Sequence, residues 1–150
     1  MALIDAALGT YAAELSGRHA VGLALPDGVT LDAGGASRLI AFVGHNRLMD
    51  LDGFAWPAPG RSARGAIAIA CHTAAYMKDD VPASTRVPLL MTADYLFSNA
   101  APLEAAVLAF ARGEGYAPMW RGAAAAYADV QGRPVDKMGG VFVNPGHRTW

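Results

Sequence analysis

The sequence is poor in charge of either sign, in cysteine and in long apolar runs. Its 150 residues carry 12 Lys and Arg against 13 Asp and Glu, a formal net charge of -1 at pH 7. Such a chain has no excess of positive charge with which to bind a phosphate backbone. Every apolar stretch falls short of the roughly 20 residues that a membrane-spanning helix needs. We therefore expect neither nucleic acid nor a membrane among the partners of this protein.

Cysteine occurs once, as Cys71, so an intrachain disulfide cannot form. The first residues lack a basic segment and include Asp5 and Glu14, which is not the pattern of a secretory signal peptide. We expect a cytoplasmic protein. In that setting a single thiol is either a small buried hydrophobe or a chemically active group.

Apolar residues make up 53% of the chain and charged residues 17%. That proportion supplies enough apolar surface for one well-packed core at this length. The sequence contains neither an internal repeat nor a low-complexity linker. We therefore expect residues 1–150 to form a single domain.

Three apolar runs in the middle of the chain are continuous rather than alternating: 39–43, 66–70 and 87–91. Continuous runs of this length are typical of strands buried on both faces of a parallel sheet, although short buried helices are the alternative. The connections between the runs are long enough for crossover helices. The sequence thus predicts an α/β fold with a mostly parallel sheet covered by helices.

The remaining elements follow from periodicity and turn residues. Pro26, Asp27 and Gly28 form a turn signal between two apolar segments, which predicts a hairpin with its strands at a sheet edge. A final short strand is expected within 139–146. Helical spacing and helix stop signals predict helices over 3–15, 73–78, 99–111 and 118–132.

Two reactive residue types directly follow the first two apolar runs. The first run leads into His45 and the second into Cys71, so both lie at the carboxyl ends of predicted strands, where ligands bind in open parallel sheets. Neighbouring strands lie about 4.8 Å apart, which would bring the imidazole close to the thiol. An imidazolium, and a helix starting near Thr73, would both favour the thiolate. The pattern predicts Cys71 as a nucleophile, with its backbone N–H facing the substrate carbonyl, and His45 as a proton donor.

The strings LIAFVGHN and AIAIAC resemble the strand pair that carries the active site of caspase-like cysteine peptidases, the clan of caspases, legumain, gingipains, clostripain and separase. GHNRLMD and VPLLMT are similar to a little-characterised bacterial branch. The resemblance covers roughly residues 34–113. It implies a caspase-like three-layer sandwich in minimal or truncated form. It also implies a His45–Cys71 dyad, a peptide or protein substrate, and no cofactor.

The chain departs from that clan beside the histidine. The clan has glycine directly after it, with a backbone N–H that helps to form the oxyanion hole, whereas here Gly44 precedes His45 and Asn46 follows it. We take Gly44 and Asn46 as the candidate oxyanion residues. Asp50 and Asp94 are the candidates for a substrate pocket that selects a basic side chain, with an ordinary solvated loop as the alternative for Asp50.

Two other site chemistries deserve comparison. His45, Cys71 and His72 are residue types that zinc accepts, but the sequence lacks the spacing of a Cys-x-x-Cys or His-Glu-x-x-His site, so we predict no metal. The glycine-rich stretch 34–37 precedes a strand, whereas a phosphate-binding loop follows one. For His72, a rim position beside the thiol and a helix-capping position are both open.

Two functions from different classes therefore remain. The first is a cysteine hydrolase that cleaves a peptide or amide bond through an acyl-enzyme. The second is a catalytically inactive caspase-like fragment that binds a peptide or protein. Exposed strand edges and alanine-rich helices would also permit a homodimer.

Overall fold

The computed structural model describes residues 2–97 and 99–145. None of the helices in these two stretches is long and apolar enough to cross a membrane. Single 3-10 turns lie at Arg47–Asp50, Val135–Lys137 and Gly139–Val141. The helices and strands run, in chain order, α1 (Ala2–Leu15), β1 (Ala20–Ala24), β2 (Thr30–Gly34), β3 (Leu39–Val43), β4 (Arg64–Ile69), α2 (Thr73–Met77), β5 (Arg86–Thr92), α3 (Ala101–Ala111), α4 (Tyr116–Gln131) and β6 (Phe142–Val143).

The main sheet has four strands in the order β3-β4-β5-β6. The first three strands are parallel, and β6 pairs antiparallel with β5. The predicted α/β class with a mostly parallel sheet is therefore confirmed. Strand β3 matches its apolar run residue for residue, whereas β4 and β5 each begin earlier, at Arg64 and Arg86.

Helices cover both faces of this sheet. On one face, Leu8, Tyr11 and Leu15 of α1 pack in a core that also contains Ile40 and Phe42 of β3. On the other face, α3 and α4 form a second core with the side chains of β4 and β5 that point the opposite way. Strand β4 lies between the two cores and is buried at every position, as a continuous apolar run predicts.

Strand β3 lies at the edge of the sheet and is buried only at alternate positions. Ala41 and Val43 are exposed, the latter at 39%. Because the Gly44 N–H donates to the Ile69 carbonyl, and backbone groups alternate along a strand, those of Ala41 and Val43 point away from β4. Strand β4 is therefore buried on both faces, whereas β3 is exposed on the face that carries the Ala41 and Val43 side chains.

Of the two connections between the parallel strands, both long enough for a crossover helix, one contains an α-helix. Between β3 and β4 the chain forms only the 3-10 turn Arg47–Asp50 and an irregular segment, while α2 lies between β4 and β5. Aromatic contacts hold the irregular segment, since the Trp56 ring packs near Tyr11 and Phe54. This connection therefore covers the α1 face of the sheet without a helix of its own.

The predicted hairpin exists, with β1 and β2 antiparallel and Leu23 opposite Leu31. Gly28 in its turn has φ +83°, the left-handed region that glycine adopts without strain. Both strands are edge strands, as expected, but of a separate two-stranded sheet and not of the main sheet. The apolar side chains of the hairpin stay exposed, since neither strand pairs with the main sheet.

Strands β4 and β5 each begin with a buried arginine, Arg64 and Arg86. Arg64 donates to the backbone carbonyls of Gly35 and Ser62. Arg86 donates to three backbone carbonyls, those of Pro57, Asp80 and Val81. These bonds join the irregular segments at the amino end of the sheet. The predicted reactive residues follow the strands at the opposite, carboxyl end.

Candidate active site

His45 and Cys71 follow neighbouring strands at matching positions. Strands β3 and β4 pair in parallel, with Val43 opposite Ile69. Two residues further along each strand stand His45 and Cys71. Their strands are therefore neighbours, and both residues lie at the carboxyl end of the sheet.

Asn46 joins the two strand ends. Its side chain is fully buried, and its amide donates a hydrogen bond of 2.7 Å to the Cys71 carbonyl. The side-chain oxygen Oδ1 of Asn46 accepts from the Leu48 N–H at 3.2 Å, and this bond caps the 3-10 turn that follows. The Asn46 side chain thus has structural partners, and its backbone N–H is the part that stays without a hydrogen bond within the described residues.

His45 is half exposed and faces Asp50. Its Nε2 donates to Asp50 Oδ2 at 2.8 Å, and Arg47 Nη1 lies 3.3 Å from the same oxygen. Arg47 also donates through Nε to Asp5 of α1 at 2.7 Å. The hydrogen bond from His45, followed by that from Arg47, holds the pKa of the Asp50 carboxyl below its ordinary value. The 3-10 turn folds the chain back far enough to create this pair.

Cys71 is partly buried, and its Sγ lies 3.8 Å from the Leu96 carbonyl. Within residues 2–97 and 99–145 no hydrogen bond joins this thiol to the His45 ring. The Cys71 N–H also has no partner in this part of the chain, whereas the Gly44 N–H is taken by Ile69 at 3.3 Å. Of these two backbone donors, the Cys71 N–H therefore has no partner among the described residues, whereas the Gly44 N–H is already bonded.

His72 makes the sharp turn from β4 into α2. Its backbone has φ +51°, a left-handed conformation that is uncommon for a residue other than glycine. Its N–H donates to the Asp94 carbonyl at 3.1 Å, and its Nδ1 lies 3.0 Å from the Ala93 carbonyl. The ring packs edge-on against Tyr95, at 4.4 Å between centroids. His72 precedes α2 as its N-terminal cap but caps no backbone N–H with its side chain.

Sequence reasoning missed a buried threonine pair behind the thiol. Thr73 Oγ1 donates to the Ala68 carbonyl at 2.7 Å and accepts from the Thr92 N–H at 2.9 Å. Thr92 Oγ1 donates to the Ala70 carbonyl. These bonds fix the end of β4 against the end of β5. The available signal was a hydroxyl residue at the end of an apolar run, VPLLMT, which a buried strand keeps only if the hydroxyl has a partner.

The segment after β5 approaches the Cys71 thiol through the Leu96 carbonyl. Asp94 accepts through Oδ1 from the Tyr95 N–H at 2.7 Å, so its carboxylate folds onto its own loop. Phe97 donates through its N–H to the Tyr127 hydroxyl at 2.9 Å. Asp94 and Asp50, both predicted to lie in a substrate pocket, therefore lie on different segments and each has a partner within the protein.

Within the described residues there is no group of three or more His, Cys, Asp or Glu side chains placed to hold one metal ion. Comparison of the chain with family models, with curated proteins and with solved structures found no match.

Proposed function

We propose that this protein is a cysteine hydrolase of the caspase-like type, with Cys71 as nucleophile, His45 as general acid and a peptide or protein as substrate. One observation carries the proposal: the parallel register of β3 and β4 puts His45 and Cys71 at matching positions just beyond two adjacent strand ends. A buried structural cysteine needs no histidine partner on the neighbouring strand. The left-handed turn at His72 supports the same conclusion, because unusual backbone conformations cluster at active sites.

In the proposed reaction the Cys71 thiolate attacks the carbonyl carbon of a peptide or amide bond. A carbon–sulfur bond forms, and the carbonyl electrons move onto oxygen, facing the Cys71 N–H, which has no hydrogen-bond partner among the described residues. The carbon–nitrogen bond then breaks as His45 gives its proton to the leaving amine. Water hydrolyses the resulting thioester, which releases the acid and restores the thiol.

Asp50 takes the role of a positioning residue in this proposal. Its carboxylate accepts from Nε2 of His45, so the second ring nitrogen, Nδ1, remains for proton transfer. A base held by a third group is the general arrangement of activated nucleophiles. Asp50 then acts on His45 and not on a substrate side chain.

One observation favours the alternative, a catalytically inactive caspase-like module that binds a peptide or protein. The His45 ring bonds Asp50 and the thiol approaches Leu96, so within the described residues the two predicted catalytic groups are not joined by a hydrogen bond. Catalytic hydrogen bonds in unliganded sites are often long and shorten when substrate binds, so the enzyme proposal does not require this bond beforehand.

The test is alkylation of Cys71 by iodoacetamide across pH 5 to 10, in the wild type and in His45→Ala. An activated pair gives substantial labelling below the usual thiol pKa of about 8.5. We expect His45→Ala to shift this labelling profile toward higher pH.

The matched control is His72→Asn, because asparagine tolerates the left-handed backbone at that position. A shift in His45→Ala alone supports the proposal. Equal profiles in all three proteins, or a shift in His72→Asn alone, would overturn the His45–Cys71 pair. Labelling of the wild type only after denaturation would identify Cys71 as a core residue. The peptide- or protein-binding module would then be the remaining function.

A further inference from the structure

Two aromatic side chains of the segment that contacts the thiol are open to solvent. Tyr95 is 69% exposed and Phe97 is 68% exposed. Between them Leu96 turns inward and packs against the α3–α4 core, and its carbonyl lies 3.8 Å from Cys71 Sγ. The two aromatic rings therefore flank the residue of this segment that contacts the thiol.

The Tyr95 ring and the Phe97 backbone are held in position, although both side chains are exposed. The Tyr95 ring packs against His72 at an interplanar angle of 79°, and the Tyr95 N–H bonds the Asp94 carboxylate. The Phe97 backbone bonds the Tyr127 hydroxyl, which is anchored in the core by α4. Binding of a ligand there would therefore cost little conformational entropy, because the loop is already ordered.

The two carboxylates predicted to select a basic side chain each have a hydrogen-bond partner within the protein. Asp50 is bonded by His45 and Arg47, and the Asp94 carboxylate by a backbone N–H. On the neighbouring strand, Val43 adds exposed apolar surface at the end of β3. The described surroundings of Cys71 thus offer aromatic and aliphatic contact to a substrate.

We propose that Tyr95 and Phe97 bind a large apolar side chain of the substrate on the acyl side of the bond that Cys71 attacks. This proposal rests on the cysteine-hydrolase function proposed above. The substrate class is a peptide with an aromatic or large aliphatic residue at that position. Exposed aromatic rings gain most by covering such a side chain, because they offer a large apolar area with few rotatable bonds.

The test uses three peptide chloromethyl ketones that differ only in the residue next to the ketone, which is Phe, Lys or Asp. The Cys71 thiolate attacks the methylene carbon, a carbon–sulfur bond forms and chloride leaves. Each labelling rate is divided by the iodoacetamide rate of the same protein, so that thiol reactivity is separated from recognition. We expect the Phe probe to exceed the Lys and Asp probes by about tenfold, the usual scale for apolar pocket discrimination.

Tyr95→Ser and Phe97→Ser should each lower the Phe-probe ratio severalfold, and Phe97→Leu should retain most of it. Tyr76→Ser is the matched control, because Tyr76 is a partly exposed aromatic on α2 that lines a separate cavity with Phe54 and Trp56. Equal ratios for the three probes, a preference for Lys or Asp, or an equal drop in Tyr76→Ser would overturn the apolar preference while the hydrolase proposal stands. Absence of any His45-dependent iodoacetamide reaction would overturn both.

Discussion

The amide of Asn46 donates a 2.7 Å hydrogen bond to the backbone carbonyl of Cys71. The residue after the proposed acid thereby holds the peptide group of the proposed nucleophile. Because Asn46 also caps the turn that carries Asp50, one buried side chain links both strand ends to the residue that orients His45. The geometry of the site depends on this link more than on any direct contact between its two reactive groups.

Replacing Asn46 by alanine should destabilise the protein by about 2 kcal/mol, because the buried Cys71 carbonyl and Leu48 N–H lose their partner. Urea unfolding measures the loss. Asn99→Ala is the matched control, since within the described residues the Asn99 side chain accepts one hydrogen bond, from the Ala101 N–H at the half-buried start of α3. It should cost about 1 kcal/mol. Equal losses in the two variants would contradict the linking role of Asn46.

The carboxyl of Asp50 should titrate below its ordinary pKa of 3.8, and His45→Ala should raise the pKa more than Arg47→Ala does. Its pairing therefore contributes to stability above that pH and is lost as the pH falls through the lowered pKa. The contribution is small because the pair is exposed. Carbon NMR of the carboxyl group measures the pKa. A larger effect of Arg47→Ala would rule out His45 as the main partner.

Tyr11→Phe should leave stability unchanged or raise it by up to about 1 kcal/mol, because the Tyr11 hydroxyl is buried without a partner in the described part of the chain. The ring contacts with Phe42 and Trp56 remain. Tyr127→Phe is the control, since the Tyr127 hydroxyl accepts from Phe97, and it should cost about 1 kcal/mol. Thermal unfolding of both variants checks the contrast. A marked loss in Tyr11→Phe would mean that its hydroxyl has an important partner.

Arg86→Met should destabilise the protein by about 3 kcal/mol, because the carbonyls of Val81, Pro57 and Asp80 lose a shared buried donor. Methionine retains most of the side-chain length. The control is Arg121→Met, at an exposed position of α4, which should stay within about 0.5 kcal/mol of the wild type. Chemical unfolding distinguishes them. Similar small effects would show that the carbonyls find other partners.

Local patterns predicted the main sheet well, because a continuous apolar run has few other uses in a chain of this size. The run 39–43 coincides with β3, and the helix expected at 73–78 is α2 at Thr73–Met77. What failed depends on distant partners. The apolar side chains of the hairpin indicated strands correctly, but only the tertiary fold decides that they form a sheet of their own. The exposure of Val43 likewise follows from the position of β3 at the edge of the sheet, which the apolar run 39–43 does not determine.

For the site, sequence predicted which strand ends meet but not the polar contacts there. Asp50 was expected to face a substrate, and the 3-10 turn places it on His45 instead. Asn46 was expected to donate to an oxyanion through its backbone N–H or its side-chain amide; the amide bonds a backbone carbonyl instead, and the role of the N–H stays a prediction. Both contacts depend on one tight turn after β3, whose geometry is fixed by capping and not by the spacing of the residues in the chain. The catalytic pair itself stays a prediction.

The two edges of the main sheet are unequal in length. Strand β3 presents five residues and β6 presents two. The outward backbone groups of Ala41 and Val43 can accept another strand, while the short β6 offers almost no ladder. Two copies joined along β3 would therefore form one continuous sheet with the two β3 strands at its centre. Such geometry permits a closed pair.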